Sequence, residues 1–176
     1  MTQFNPYDRL PPVGSFTVTS TDIAEGDQLA KPHMSGIFGA GGADVSPQLA
    51  WSGFPEATQS FAVTCFDPDA PIPSGFWHWA VHDIPASVTS LETGAGGANG
   101  TGMPEGSITL PNDAGLTHFL GAAPPAGSGT HRYFFVVHAL DVPTLGVGAG
   151  TTPSVQGFMM YTHTLARALI TPVAHS

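Results

Sequence analysis

The chain has 176 residues, of which 41% are hydrophobic and only 10% are charged, so an intrinsically disordered chain is excluded. Four basic residues face 13 acids, and the formal net charge of −9 excludes a nucleic-acid-binding protein, which needs a cationic surface. The same scarcity of cations argues against docking on anionic membranes. We expect one domain over residues 1–176.

Cysteine usage and the N-terminal sequence predict the compartment. The single cysteine, Cys65, leaves no intrachain disulfide and no cysteine-based zinc site, which is typical of the reducing cytosol. The first nine residues lack a signal-peptide pattern, and no apolar run approaches the length of a membrane span. We therefore expect a cytoplasmic protein, and exposed apolar strand faces would favour a homodimer.

Strand patterns dominate the first 140 residues. Alternating or β-branched apolar residues predict four strands: Gly14–Ser20, Gln59–Phe66, Phe76–Ile84 and His131–Leu140. In the second strand, Phe61, Val63 and Cys65 share one face. Clusters of proline and glycine at 68–75 and 123–129 separate the strands, a pattern typical of a sandwich or barrel of antiparallel sheets.

Two further segments have distinct expected structures. Residues 92–102 have almost no apolar bulk, so we expect a mobile surface loop. One long helix is expected near the C-terminus, with Ser154 as its N-cap and Pro172 after its end. Its apolar positions at helical spacing are Val155, Phe158, Met159, Thr162, Leu165, Ala166 and Leu169. The adjacent Met159 and Met160 are expected to pack in the core.

Polar residues are scarce, and the first cluster of them directly follows the second strand. Asp67 and Asp69 flank Pro68, and side chains two positions apart on an extended chain project to the same side. Both carboxylates could therefore face one site, held by a proline-stiffened turn. An ordinary turn, in which an aspartate side chain accepts from the backbone, is the alternative.

The second cluster opens the third strand. Alternation places His78 on the face opposite Trp77 and Trp79, so the indoles pack while the imidazole is free to meet a ligand. The alternative is a core histidine whose ring is satisfied by a backbone carbonyl.

The third cluster joins the loop at Pro124 and Pro125 to the last predicted strand. His131 and Tyr133 share a face there, and together they offer a donor pair for an anionic oxygen. Arg132 takes the other face, where we expect an ion pair with an acid such as Asp69 or Asp141.

Metal binding and nucleophilic catalysis have weak support. No ligand set with metal-binding spacing occurs, which leaves only a site gathered from distant loops by Asp67, His78 and His131. Cys65 lies among apolar residues, where a thiol is a poor nucleophile, and no Gly-x-Ser-x-Gly motif occurs. We predict no metal and no cofactor.

These clusters, in this order, resemble the phosphatidylethanolamine-binding protein family, which includes the Raf kinase inhibitor protein and a bacterial kinase-inhibitor-like branch. The similarity runs from about residue 14 into the expected C-terminal helix. The matching stretches are Val45–Gly53, Asp67–Pro71, Trp77–Trp79, Gly127–Phe135 and Ala139–Asp141.

The resemblance implies a mainly β fold, namely an antiparallel β-sandwich with Greek-key-like connections, a C-terminal helix and a small anion pocket at one end. In that pocket Asp67 and Asp69 would line one wall, and His78 would contact the anion. Pro124 and Pro125 would form the rim, and His131 and Tyr133 would lie opposite.

The chain departs from the family pattern just before the proline pair. The family usually has a tyrosine and a Gly-Pro step where this chain has Phe119 and Ala122. We expect these changes to reshape the mouth of the pocket, and His118 to add a donor there.

Three functions follow from these observations. The first is a non-enzymatic protein that binds a phosphate-like anion or a phospholipid headgroup, in which the carboxylates accept hydrogen bonds from the imidazoles. The second, which rests on the resemblance alone, is a regulatory protein with a kinase or other signalling partner. The third is a hydrolase with Asp67 and His131 as its acid/base pair.

Overall fold

The structure is a computed structural model that describes residues 4–98 and 102–176. The strands in this part of the chain are β1 (Gly14–Ser15), β2 (Thr17–Thr19), β3 (Leu49–Ser52), β4 (Ser60–Asp67), β5 (Phe76–Pro85), β6 (Ser90–Leu91), β7 (Ile108–Thr109), β8 (Thr130–Arg132), β9 (Phe134–Leu140), β10 (Thr164–Ile170) and β11 (Val173–His175). Helix α1 is Pro153–Met160, and 3-10 turns cover Pro6–Arg9 and Lys31–His33. No helix in these residues is long and apolar enough to cross a bilayer.

The strands form three sheets, and the prediction of a mainly β fold is confirmed. The largest has six strands in the order β1-β10-β9-β4-β5-β7, and the others are β2-β3-β6 and β11-β8. All pairs are antiparallel except β1 with β10, so the largest sheet is mixed.

The main core lies on one face of the six-stranded sheet. Phe61, Val63 and Cys65 of β4 are fully buried in it, as their alternation predicts. Strand β3 packs against the same face, since the ring centroids of Trp51 and Phe61 are 5.3 Å apart. The other face carries a smaller cluster with Met160, so the predicted packing of this methionine is confirmed.

Two predicted strands change partners midway. The first divides at Phe16, where β1 leaves the large sheet and β2 joins the three-stranded one. The last divides at Tyr133, whose backbone N–H donates to Pro172 O at 2.9 Å. Strand β8 therefore pairs with β11, whereas β9 pairs with β4 and β10.

The predicted C-terminal helix is half the expected length. Helix α1 begins after Thr152, whose side chain accepts from Val155 N, so Ser154 is not the cap. The expected helical segment continues as strand β10, in which Ala166, Ala168 and Ile170 alternate inward. Small and apolar residues fit either period here, and pairing with β9 and β1 favours the strand. The outward-facing Phe158 is 78% exposed.

The expected surface loop at 92–102 is anchored in its described part. Ala95 is buried in the main core, and Gly94 N and Gly96 N donate to the backbone and side chain of Ser46. Glycine makes this approach possible, because a Cβ on Gly96 would lie 2.4 Å from the Trp79 ring. Residues 99–101 of that expectation lie outside the described residues.

Candidate functional site

A cavity of about 660 Å³ lies at one end of the molecule, between the β4–β5 turn, the start of β5 and the loop before β8. Its walls are mostly apolar, with few polar side chains. The lining residues are Phe38, Gly39, Ala40, Asp67, Ala70, Pro71, Ile72, Phe76, His78, Gly121, Ala123, Pro124, Pro125, Ala126, His131 and Tyr133. Six of the seven predicted site residues line it, and Asp69 does not.

Asp67 both closes a turn and lines the cavity. Its Oδ1 accepts from the backbone N–H groups of Asp69 and Ala70 at 2.8 and 3.0 Å, which is the turn predicted as the alternative. Its Oδ2 lies 2.7 Å from His131 Nδ1. The carboxylate is 3% exposed, so these contacts replace its hydration.

His131 is held at both ring nitrogens. Nδ1 faces the Asp67 carboxylate, and Nε2 lies 2.8 Å from Ser128 Oγ. The Ser128 hydroxyl also donates to Pro125 O at 2.7 Å, so it contacts both that carbonyl and the His131 ring. The ring of His131 therefore forms part of the wall and positions Asp67, and neither nitrogen is left for an anion.

Asp69 and Arg132 form the ion pair that the sequence predicts for Arg132. Arg132 Nε and Nη2 donate to the two oxygens of Asp69 at 2.7 and 2.8 Å, and the Arg132 backbone N–H adds a third bond. Burial alone raises the pKa of Asp69, but these hydrogen bonds outweigh it and hold the pKa below its usual value. This pairing keeps Asp69 out of the cavity wall, contrary to its expected place there.

A β-bulge determines the orientation of His78. Cys65 pairs with Trp79 and Phe66 with Trp77, so β5 contains an extra residue at this point. Trp77 consequently stacks on Phe66 outside the core, with ring centroids 4.4 Å apart, whereas Trp79 is fully buried within it. The two indoles thus lie on opposite faces, and the prediction of a shared face was wrong because alternation assumes an unbroken ladder.

His78 is buried and carries one uncommitted ring nitrogen. Nδ1 donates to Leu120 O at 2.8 Å, as the alternative interpretation of this residue predicts. Burial lowers the pKa of His78, with the Leu120 carbonyl and Asp67 opposing that shift. The neutral ring therefore has its proton on Nδ1 and a lone pair on Nε2, for which the described residues provide no partner.

Tyr133 supplies the second uncommitted group. Its ring packs edge-on against His78, with centroids 5.1 Å apart, and its hydroxyl has no partner among the described residues. Burial, followed by the negative charge of Asp67, raises the pKa of Tyr133. The phenol therefore keeps its proton and can donate it to an oxygen in the cavity.

The departures from the family pattern lie behind the wall. Phe119 is buried in the core against Trp79 and Phe135, and Ala122 is buried as well. His118 Nδ1 bonds to Phe119 O. None of the three lines the cavity, whereas Gly121 and Ala123 on either side of Ala122 do, so an effect on the shape of the mouth stays a prediction.

Sequence reasoning missed the loop at 38–40 and Ile72, which complete the apolar wall. Phe38 and Ile72 are 56% and 47% exposed, and exposed apolar residues beside glycine or proline were the available signal. Among residues 4–98 and 102–176, no three His, Cys, Asp or Glu side chains are grouped as metal ligands, so Asp67, His78 and His131 do not form such a set.

Two proteins of Escherichia coli are similar to this chain over most of its length. The chain is 46% identical over 159 residues to UPF0098 protein YbcL of Escherichia coli, covering 90% of this chain and 87% of YbcL. It is 45% identical over 152 residues to UPF0098 protein YbhB of the same organism, covering 86% of this chain and 95% of YbhB.

The solved structure of E. coli YbcL, described as a new member of the mammalian PEBP family, superimposes with a TM-score of 0.89 at 45% identity. The superposition covers 93% of this chain and 99% of the chain in that solved structure. The family model for phosphatidylethanolamine-binding protein matches residues 19–174. The chain therefore belongs to the phosphatidylethanolamine-binding protein family.

Proposed function

We propose that this chain binds a small molecule with a singly charged phosphate group, such as a phospholipid headgroup, in the cavity between His78 and Tyr133. The observation that carries the proposal is a pair of uncommitted polar groups, His78 Nε2 and the Tyr133 hydroxyl, on otherwise apolar walls. Such a cavity favours a ligand with one polar group and an adjoining apolar part. The family name supports the same class of ligand.

The charges around the cavity favour a monoanion. Arg132 is paired with Asp69, and both ring nitrogens of His131 are occupied by Asp67 and Ser128, so neither side chain is free to balance a dianion. The net charge of −9 on the chain also repels a dianionic phosphate more strongly than a monoanion. A phosphate monoanion instead accepts a hydrogen bond from the Tyr133 hydroxyl, and another of its oxygens remains to contact His78 Nε2.

Binding is expected to be linked to proton uptake at His78. In the free protein Nε2 holds a lone pair, which repels an anionic oxygen. Protonation of Nε2 turns it into a charged donor, so the bound anion raises the pKa that burial lowers. Affinity therefore rises as the pH falls towards the lowered pKa of His78, by up to about tenfold per pH unit.

Calorimetric titration with glycerophosphoethanolamine between pH 5.5 and 8 tests this proposal, because a phosphodiester keeps one negative charge throughout that range. H78Q is expected to remove the pH dependence, and Y133F to weaken binding about tenfold through the lost hydrogen bond. H118Q is the matched control and should bind like the wild type. Inorganic phosphate distinguishes a free anion from a headgroup, and equal affinity at pH 5.5 and 8 would contradict the proposal.

A hydrolase is the second candidate, because of one observation. Ser128 Oγ, His131 Nε2 and Nδ1, and Asp67 Oδ2 follow one another at 2.8 and 2.7 Å, in the order of a Ser-His-Asp triad. Ser128 however donates its proton to Pro125 O and does not line the cavity. Turnover of carboxylic or phosphoric esters that S128A abolishes would favour this candidate over the binding protein.

A further inference from the structure

A second cavity of about 220 Å³ lies on the other face of the six-stranded sheet, and we name it the outer cavity. The side chains that matter for its chemistry are Tyr7, Trp77, His138, Met160, Tyr161 and Arg167. Along β9, Val137 and Ala139 face the main core, so His138 between them faces the outer cavity. The two cavities are therefore separated by the sheet.

Arg167 is a cation without an acidic partner in this cavity. Its Nε is buried and has no hydrogen-bond partner among the described residues, and none of their ion pairs includes it. Its guanidinium carbon lies 5.9 Å from the ring centroid of Tyr7. No Asp or Glu lines the cavity, although the chain has 13 acids for four basic residues. An unpaired, half-buried guanidinium is costly unless an anion joins it.

The titratable groups facing Arg167 are neutral at physiological pH. From the N-terminal turn, Tyr7 has its pKa raised to about 12 by burial. From β9, His138 has its pKa lowered to about 3, by burial first and by the Arg167 charge second. From β4, Thr64 Oγ1 lies 3.2 Å from His138 Nε2. The other ring nitrogen of His138, Nδ1, has no hydrogen-bond partner in the described chain. Arg167 therefore provides the one formal charge on the described walls.

The walls around this charge are apolar and close together. Trp77 and Met160 contribute an indole ring and a thioether to the lining, and Tyr161 at the end of α1 is 57% exposed. The volume is below that of a typical site for a drug-sized ligand. One cation balances one negative charge, so a dianionic phosphate would be left partly uncompensated, whereas a carboxylate matches the guanidinium fork.

We infer that the outer cavity is a second binding site, for a small carboxylate whose anionic group pairs with Arg167 and whose apolar tail packs on Trp77 and Met160. Medium-chain fatty acids belong to this ligand class. The site is independent of the proposed phosphate site on the other side of the sheet.

Calorimetric titration of the full chain with octanoate tests the inference. R167Q is expected to weaken octanoate binding at least tenfold, and R167K to give an intermediate affinity, since lysine keeps the charge but loses the fork. R9Q is the matched control, because Arg9 is exposed and its removal changes the net charge equally. The neutral analogue octanol and the dianionic octyl phosphate should each bind at least tenfold more weakly than octanoate.

Nuclear magnetic resonance of the wild type keeps the test decisive if R167Q fails to fold. Octanoate should shift the indole N–H signal of Trp77 and leave that of Trp51, which is buried in the main core, unchanged. Saturating glycerophosphoethanolamine should not compete with octanoate. No octanoate binding at millimolar concentration, equal affinity of R167Q and wild type, or shifts confined to the His78–Tyr133 cavity would each overturn the inference.

Discussion

Among the buried histidines, His78, His131 and His138 differ in how much of their hydrogen-bonding capacity the protein uses. His131 uses both ring nitrogens, whereas His78 and His138 each use one. Burial lowers the pKa of both His78 and His138, because an imidazolium loses more hydration than a neutral ring. His78 and His138 therefore lie on opposite faces of one sheet as neutral rings, and burial disfavours the protonation of each.

At the scale of single residues, we predict that acid destabilises the folded chain through His138. Its pKa is about 3 in the folded chain against an ordinary value of 6.5, so below pH 6.5 the unfolded chain binds a proton that the folded chain does not. Stability is expected to fall by about 1.4 kcal/mol per pH unit, or about 2 kcal/mol between pH 6.5 and 5. Urea unfolding at several pH values measures this slope.

The variant H138Q should lose the part of that slope due to His138 and keep any part due to His78, because glutamine keeps a polar contact for Thr64 but does not titrate. H175Q replaces an exposed histidine and should retain the slope of the wild type. If wild type and H138Q lose stability equally between pH 6.5 and 5, His138 is not the group responsible.

At the scale of elements, the sequence correctly predicted the features that depend on local residue patterns. Strands β4 and β5 and the shared face of His131 and Tyr133 followed from alternation and from proline and glycine boundaries. The bulge at His78 and the partner change at Tyr133 did not follow, because both depend on strands distant in the chain. Strand β10 was mistaken for helix because its small apolar residues fit both periods.

The same limit applies to the candidate site. The residues predicted from local patterns and from the family resemblance line one cavity with the exception of Asp69, and they are Asp67, His78, Pro124, Pro125, His131 and Tyr133. Which of their atoms are free depends on tertiary contacts, such as the Leu120 carbonyl on His78 and Ser128 on His131. The prediction that Asp69 lines the cavity was wrong because it used only the spacing from Asp67. The pairing of Asp69 with the distant Arg132 could not be deduced from that spacing.

The turn between β4 and β5 provides a prediction about backbone geometry. Gly75 has φ +63°, and a Cβ there would lie 2.5 Å from the Phe66 ring and 2.8 Å from Asp67 O. Gly26 has φ +74° with nothing within 4 Å of the corresponding position. G26A should therefore cost about 1 kcal/mol for its backbone conformation alone, whereas G75A should cost roughly 1–3 kcal/mol more through overpacking.

Urea unfolding of the two variants isolates that difference, and calorimetry follows its effect on the site. Displacement of Asp67 O should move the Asp67 carboxylate, so G75A should also weaken glycerophosphoethanolamine binding while G26A does not. Equal stability of the two variants would mean that the close approach at Gly75 relaxes without consequence.

At the scale of the whole molecule, the proposed phosphate site depends on chain segments that are far apart in sequence. Strand β8 carries His131 and is paired with β11, near the other end of the chain. Ala174 of β11 is fully buried, and Val173 O accepts from Leu29 N at 2.8 Å, so β11 also connects to the N-terminal third. The outer cavity is instead lined by residues of β9, β10 and α1, and neither of these strands pairs with β11.

Removal of residues 173–176 should therefore affect the two sites unequally. Without β11, strand β8 loses its only partner in the described sheets and His131 loses its fixed position, so glycerophosphoethanolamine should bind at least tenfold more weakly. Octanoate affinity should change less than threefold, since Arg167 lies in β10 and is held by β9. Calorimetry below the unfolding temperature of the shortened chain measures both, and a chain lacking only Ser176 is the control. Equal losses at both sites would show that the sheet transmits the change and that the two cavities are coupled.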